Sequence, residues 1–390
     1  MTGARAQVDT CALRISLLTC APGSELYSLF GHTAIRVQVP AQEVDNVFNY
    51  GTFAFTPDFY YKFIKGDTYY SLSVEPFDEF MEEYRAESRS VQEQELKLDC
   101  AEKQQLFQAL ATNAWEENRN YLYNFIFDNC TTRARDIIAR NTKDPVQFHS
   151  ILPKEPPTFR ELIHSYLDKG HDDWSKLGID LLLGAHLDKK VTNQQAMFLP
   201  DYLLKGIDAA STNNHRLASP PTTILQMPAL ATEPAFLTPA ISFGLVLLLF
   251  AGLSLSHRKR IIGSLSFLDS LLFFADGLAG IVMLIMWFGT NHAECRDNFN
   301  LLWAIPTNVV MAFFGGSRRP WVRTYFQVQF WLLLAVAAAW FFLPQQMNPG
   351  LIPLVLLLIW RSWQLSKTKV YGNKRNSVGG PEEADLPGNR

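Results

Sequence analysis

The chain has 390 residues, a formal net charge of −3 and 48% apolar residues, with no basic stripe of the kind a nucleic-acid binder needs. Five cysteines (Cys11, Cys20, Cys100, Cys130 and Cys295) are too few and odd in number for a disulfide framework. No CxxC pair has a partner pair, so no metal site or cofactor is expected.

The near-neutral mean hydropathy averages two unlike halves. Residues 1–205 carry charges throughout, whereas apolar runs dominate from Leu237 onward. The first ten residues, MTGARAQVDT, hold no apolar run, so no signal peptide is expected in them. Residues 13–20 have strand character and end at the breaker Ala21-Pro22-Gly23. In residues 32–39, Thr33, Ile35, Val37 and Val39 alternate with more polar residues, which predicts a half-buried strand opened by His32. Further strands are expected at 47–55 and 69–74, and helices at 77–87 and 101–117.

The aromatic run YLYNFIF then stops at Asp128-Asn129. Asn129 is a good N-cap, and CTTRARDIIAR has helical spacing. Cys130 therefore falls in the first turn of a helix. The N–H groups and positive dipole end there favour a thiolate and could later hold an oxyanion. Amphipathic segments follow through 153–206, with His164, His171 and His186 read as surface or capping residues. The first domain is assigned to 1–214 and a Pro/Ser/Thr-rich linker to 215–236.

Membrane spans are expected at 237–255, 265–288, 299–314, 325–343 and 351–363, a bundle of about five helices within 237–365. The first connection carries Arg258, Lys259 and Arg260, and the third carries Arg318, Arg319 and Arg323. The tail carries Lys367, Lys369, Lys374 and Arg375, while connections 289–298 and 344–350 are nearly free of net positive charge. That asymmetry puts the first domain outside the cytoplasm and the tail, 366–390, inside as a disordered segment. Asp269 and Asp276 share one face of the second span. They are read as structural acids facing the bundle interior, with Asn308 as a partner for Asp276.

A Cys at a helix start needs a base, and His32 is the candidate. Papain-like folds bring such a helix and a His strand together. Here His precedes Cys, the circularly permuted order. Cys20 competes as a nucleophile, but Pro22 and Gly23 deny it a helix start, so it reads as structural.

The segments LLTCAPGSELYSLFGHTAIRV, FNYGTFAF, YNFIFDNCTTRARDII, WSKLGIDLLLG and MFLP together resemble the Lnb-type lipoprotein N-acyltransferases. TNHAECRDNFNLLWAIPTN resembles the membrane portion of that family. The resemblance implies an α+β, permuted papain-like (NlpC-type) periplasmic thiol-enzyme domain fused to an all-α transmembrane bundle in the bacterial inner membrane. It implies Cys130 as nucleophile and His32 as base. The implied substrates are a membrane lipid acyl donor, such as a phospholipid, and a diacylated lipoprotein acceptor. The imidazole-orienting or oxyanion group stays open among Asn49, Tyr50, Asp128 and Asn129. His292, Asn298 and Asn300, between the second and third spans, are expected to position a headgroup or the acceptor amine. A tethered Cys–His hydrolase acting on peptidoglycan or phospholipid, and a non-catalytic envelope scaffold, are the rival readings.

Overall fold

The computed structural model describes residues 12–25, 27–53, 57–228, 234–255, 259–317 and 319–367. The first eleven residues with Cys11, the tail beyond Lys367, and Arg258 and Arg318 of the basic connections lie outside the described residues. So do residues 54–56 of the third expected strand and 229–233 of the expected linker.

The first half is built on one antiparallel sheet. Its strands are β1 (Arg14–Cys20), β2 (His32–Val39), β3 (Val44–Thr52), β4 (Tyr69–Pro76), β5 (Val91–Glu95), β6 (Asn120–Leu122) and, after a small β7–β8 hairpin (Ser211–Thr212, His215–Arg216), β9 (Thr222–Leu225). The order across the sheet is β6-β4-β3-β2-β1-β5-β9. Residues 222–225, expected in a linker, instead add an edge strand to β5. The Pro/Thr composition read as a linker suits an edge strand equally well, since one side needs no ladder partner.

Strand alternation gives the sheet two faces. On one, Leu17, Ile35, Val37, Phe48 and Leu72 pack against α3 (Cys100–Asn113), α4 (Cys130–Arg140) and α8 (Pro200–Ala209). On the other, Leu18, Ala34 and Val47 pack under α2 (Phe77–Ala86) through Phe80, Met81 and Tyr84. Each fully buried Leu or Ile here stabilises the domain by about 1.5–3 kcal/mol. The short helix α1 (Phe59–Lys65) joins β3 to β4. Cys100, at the start of α3, is disulfide-bonded, as an oxidising compartment permits.

Helices α5 (Phe159–Gly170), α6 (Asp173–Leu182) and the single turn α7 (Asn193–Ala196) form a cap. At its centre Asp180 takes Arg160 at 2.7 Å and His164 at 2.8 Å. Both partners are buried, so His164 is an interior group rather than the surface or capping residue expected.

The second half contains α9 (Pro239–Ser254), α10 (Lys259–Phe288), α11 (Asn308–Met311), α12 (Pro320–Ala339) and α13 (Ile352–Ser366). Gly263–Phe288 and Pro320–Ala339 are long and apolar enough to cross a membrane. The expected third span is not a continuous helix. Residues 299–314 form two short 3-10 turns and the four-residue α11. Pro306 removes a donor there, and the Asn298 side chain accepts from the Asn300 N–H at 3.0 Å, which caps a 3-10 turn at the start of the segment.

Inside the bundle, Asp276 accepts from Asn308 Nδ2 at 2.6 Å, the pairing the sequence suggested, and Tyr325 donates to Asn308 Oδ1 at 2.7 Å. Asp269 forms a two-point pair with Arg361, at 2.6 and 2.7 Å.

The two halves are riveted together. Asn348 donates to Asp180 at 2.9 Å, Asn300 donates to the Asp180 carbonyl at 2.8 Å, and Asn124 donates to Glu294 at 2.6 Å. Leu177 of α6 belongs to the same apolar cluster as the bundle helices. Glu294 and Asn348 lie in connections 289–298 and 344–350, the two lacking net positive charge, and Asn300 lies two residues beyond the first.

Candidate active site

Asn129 builds the start of α4. Its backbone is extended, and its side-chain oxygen accepts from the N–H groups of Thr131 at 3.0 Å and Thr132 at 2.8 Å. Its amide donates to the carbonyls of Phe125 at 2.7 Å and Phe198 at 2.9 Å. Its side-chain oxygen is spent on the helix start and its amide on those two carbonyls, so Asn129 acts as the cap of α4. It takes the second and third donors of the first turn and leaves out the N–H of Cys130 itself. Asp128 pairs with Arg133 at 2.6 Å and steadies the same turn.

Cys130 is half-buried. Burial drives its thiol up. The positive charge of His32, a hydrogen bond to that ring, the Thr33 backbone N–H and the Thr131 hydroxyl together outweigh it, and the thiol comes down to about 7. Burial likewise drives the His32 imidazole down, yet the charge and hydrogen bond of Cys130, with Asn49, carry it above its ordinary value. Each group favours the charged form of the other.

Of the four orienting candidates, Asn49 is the one that reaches the imidazole. Its Oδ1 lies 2.7 Å from His32 Nε2. Tyr50, the next residue, points to the opposite face, is buried, and accepts from Asn113 at 2.9 Å. A one-residue step in a strand reverses the side chain, which separates these two.

Three contributors were not legible as such in the sequence. Glu75, on β4, accepts from Asn49 Nδ2 at 2.9 Å. A carboxylate offers only acceptors, so Asn49 turns its amide nitrogen to Glu75 and its oxygen to His32. His32 Nε2 is then the donor, leaving Nδ1 to serve Cys130. The second is Thr131, whose hydroxyl lies 3.1 Å from that of Thr33 and 3.7 Å from the sulfur. The third is Gly51, with φ +107° at a bulge between β3 and β4. A Cβ there would sit 3.4 Å from His32 Cε1 and 3.6 Å from Cys130 Cβ, so its absence leaves the gap where the two side chains face each other. The signal in the sequence was the Gly within an otherwise regular strand.

Cys20 pairs in register with His32 on β1, but it is fully buried, and burial pushes its thiol up to about 12. That environment suits the structural role expected of it.

His292, Asn298 and Asn300 are not gathered at Cys130. Asn298 is buried and donates to the Leu181 carbonyl at 2.7 Å while capping Asn300 N–H at 3.0 Å. Asn300 is buried between the Asp180 carbonyl and the Trp303 indole, 3.0 Å away. His292 Nε2 donates to the Phe63 carbonyl at 2.9 Å. These bonds tie the three residues to carbonyls of the first domain, at Phe63, Asp180 and Leu181. Among the described residues no cluster of His, Cys, Asp or Glu could hold a metal ion.

Two family models match the chain. One, described as the Lnb N-terminal periplasmic domain, matches residues 2–165, and the other, described as the Lnb transmembrane domain, matches residues 231–370. No curated protein and no solved structure matches it. A mixed α/β domain of the periplasmic type, joined to a helical membrane domain of the same family, makes this chain an Lnb-type protein.

Proposed function

We propose that this membrane protein is a lipoprotein N-acyltransferase working through a thioester on Cys130. The observation that carries the reading is the thiol of Cys130, at a capped helix start, held near neutrality by a His32 that Asn49 orients. The family supports an acyltransferase of this type.

The reaction has two halves. The Cys130 thiolate attacks the ester carbonyl of a membrane lipid, a phospholipid in this reading. The Cys130 N–H faces the developing oxyanion. The C–O bond breaks, the His32 imidazolium gives its proton to the leaving alkoxide, and an acyl thioester remains. The α-amine of a diacylglyceryl-cysteine lipoprotein then attacks that thioester. His32 accepts the amine proton, the C–S bond breaks, and the amide product leaves with the thiolate restored.

The fold is read as a permuted papain-like domain whose sheet takes in β9, beyond residue 214. The four long helices and the broken segment 299–314 make up the bundle of about five. The first domain is bonded to connections 289–298 and 344–350, which supports a cytoplasmic side for the basic connections and the tail.

Mass spectra of lipoprotein N-termini test the reaction. Cells with the active protein should yield N-termini heavier by one acyl chain, and cells with Cys130→Ser should not. Free N-terminal amines with the active protein, or cleaved muropeptides instead, would contradict it.

A further inference from the structure

Helix α1, FYYKFIK, exposes three large apolar side chains beside Lys62 and Lys65. Tyr61 is 69% exposed, Ile64 55% and Phe63 47%. Three large apolar side chains on one short exposed helix are unusual for a surface facing water. The two lysines of α1 are held in pairs, Lys62 with Asp58 at 2.7 Å and Lys65 with Asp67 at 2.9 Å.

This helix is pinned to the end of a membrane span. Asn291 N–H donates to the Lys65 carbonyl at 2.8 Å, and His292 donates to the Phe63 carbonyl at 2.9 Å. Gly66, with φ +76°, closes α1 against the same connection, where a Cβ would lie 3.2 Å from His292 N. The apolar span Gly263–Phe288 ends three residues before Asn291. Three residues reach at most about 10 Å. Phe288 at that end is itself exposed. The exposed apolar side chains of α1 therefore stand at the height where the span leaves hydrocarbon, the level at which aromatic residues gather in membrane proteins.

From α1 a row of rings runs inward. Phe63 stacks on Phe59 at 6.1 Å, Phe59 on Phe53 at 5.4 Å, Phe53 on Tyr70 at 4.9 Å and Tyr70 on Tyr123 at 4.1 Å. Phe53 lies two residues beyond Gly51, and Phe53, Tyr123 and Cys130 pack on one apolar cluster. Burial, and after it the negative charge of Cys130, push the Tyr70 phenol up to about 12, which marks the row as a neighbour of the sulfur.

We propose that α1 is immersed in the bilayer surface on the side of the first domain, and that the ring row from Phe63 to Tyr70 is the path by which a lipid acyl chain reaches Cys130. The path rests on the reading of Cys130 as a nucleophile toward lipid esters, but the immersion of α1 does not. An apolar row suits a chain because it offers the tail no competing hydrogen bonds, while the ester end emerges at the polar gap beside Gly51.

Two measurements on the full chain in phosphatidylethanolamine/phosphatidylglycerol nanodiscs test this. A nitroxide at Tyr61→Cys, on a Cys130→Ser background, should collide with dissolved oxygen far more than with a water-soluble nickel chelate. A nitroxide at Glu79→Cys on α2, across the sheet, should show the reverse. Equal nickel access at both positions would overturn the immersion. Second, Tyr61→Asp with Ile64→Asp should slow lipid-derived thioester formation on Cys130 at least tenfold, with alkylation of Cys130 by iodoacetamide unchanged. Tyr61→Leu with Ile64→Leu should keep the wild-type rate. An unaffected aspartate pair, or an equally slow leucine pair, would overturn the path. If the wild-type protein forms no thioester from any lipid, the acyl-transfer reading fails and the path with it, while the nitroxide still decides where α1 lies.

Discussion

His32 and Asn49 meet across β2 and β3, with the imidazole Nε2 2.7 Å from the amide oxygen, and Glu75 holds the other end of that amide at 2.9 Å. In the neutral ring the relay sets which imidazole nitrogen carries the proton. Glu75→Ala should leave the Asn49 amide free to turn, and activity should fall about 10–100-fold, the range for losing an outer partner of an active group. Glu75→Gln still offers a carbonyl oxygen and should keep most activity. The pH profile of Cys130 alkylation separates this from simple damage, because its midpoint should rise in Glu75→Ala and stay in place in Glu75→Gln.

Alkylation of Cys130 in the wild-type protein should rise with pH through a midpoint near 7, below the ordinary thiol value of 9.0. His32→Ala removes the positive charge and hydrogen bond that favour the thiolate but leaves the burial that opposes it. The midpoint should therefore move upward, toward or beyond that ordinary value. A midpoint that stayed near 7 would mean that His32 does not activate the thiol.

Gly51→Ala places a methyl group against both His32 and Cys130, at a φ of +107° that L residues rarely adopt. The strain should cost about 1–3 kcal/mol of stability. Thioester formation should drop more than folding does, which thermal melts and single-turnover assays on the same sample would separate.

Within the bundle, Arg361→Leu leaves Asp269 buried without its partner and should destabilise the protein by about 3–5 kcal/mol. Arg361→Leu with Asp269→Leu removes both charges and should recover most of that loss. Melting in detergent reads both variants. If the double variant were no better than the single one, the pair would matter for something other than mutual charge compensation.

The sequence was most informative where a periodic pattern met a local stop signal. The alternation behind His32 and the Asp128-Asn129 stop before Cys130 located β2 and the start of α4 to the residue. Strand β5 was not anticipated, because VQEQE shows no apolar alternation. Its Gln94 is buried although its chemistry suggests exposure. Asn49 and Tyr50 could not be separated without knowing which face of β3 looks toward His32. Glu75 was invisible for a stronger reason: its contact with Asn49 depends on the register of β3 against β4, which no spacing along the chain encodes. Likewise the anchoring bonds of Asn298 and Asn300 run to α6, more than a hundred residues away. In 299–314 apolar composition suggested a span, but Pro306 and the Asn298 cap shape the backbone more strongly there than hydropathy does.

The most direct test of the account is the intact mass of the full chain after incubation in phospholipid nanodiscs without an acceptor. The account predicts a gain of one acyl chain, located on Cys130, released by neutral hydroxylamine and absent from Cys130→Ser. No adduct on the active protein, or an adduct that persists in Cys130→Ser, would contradict it.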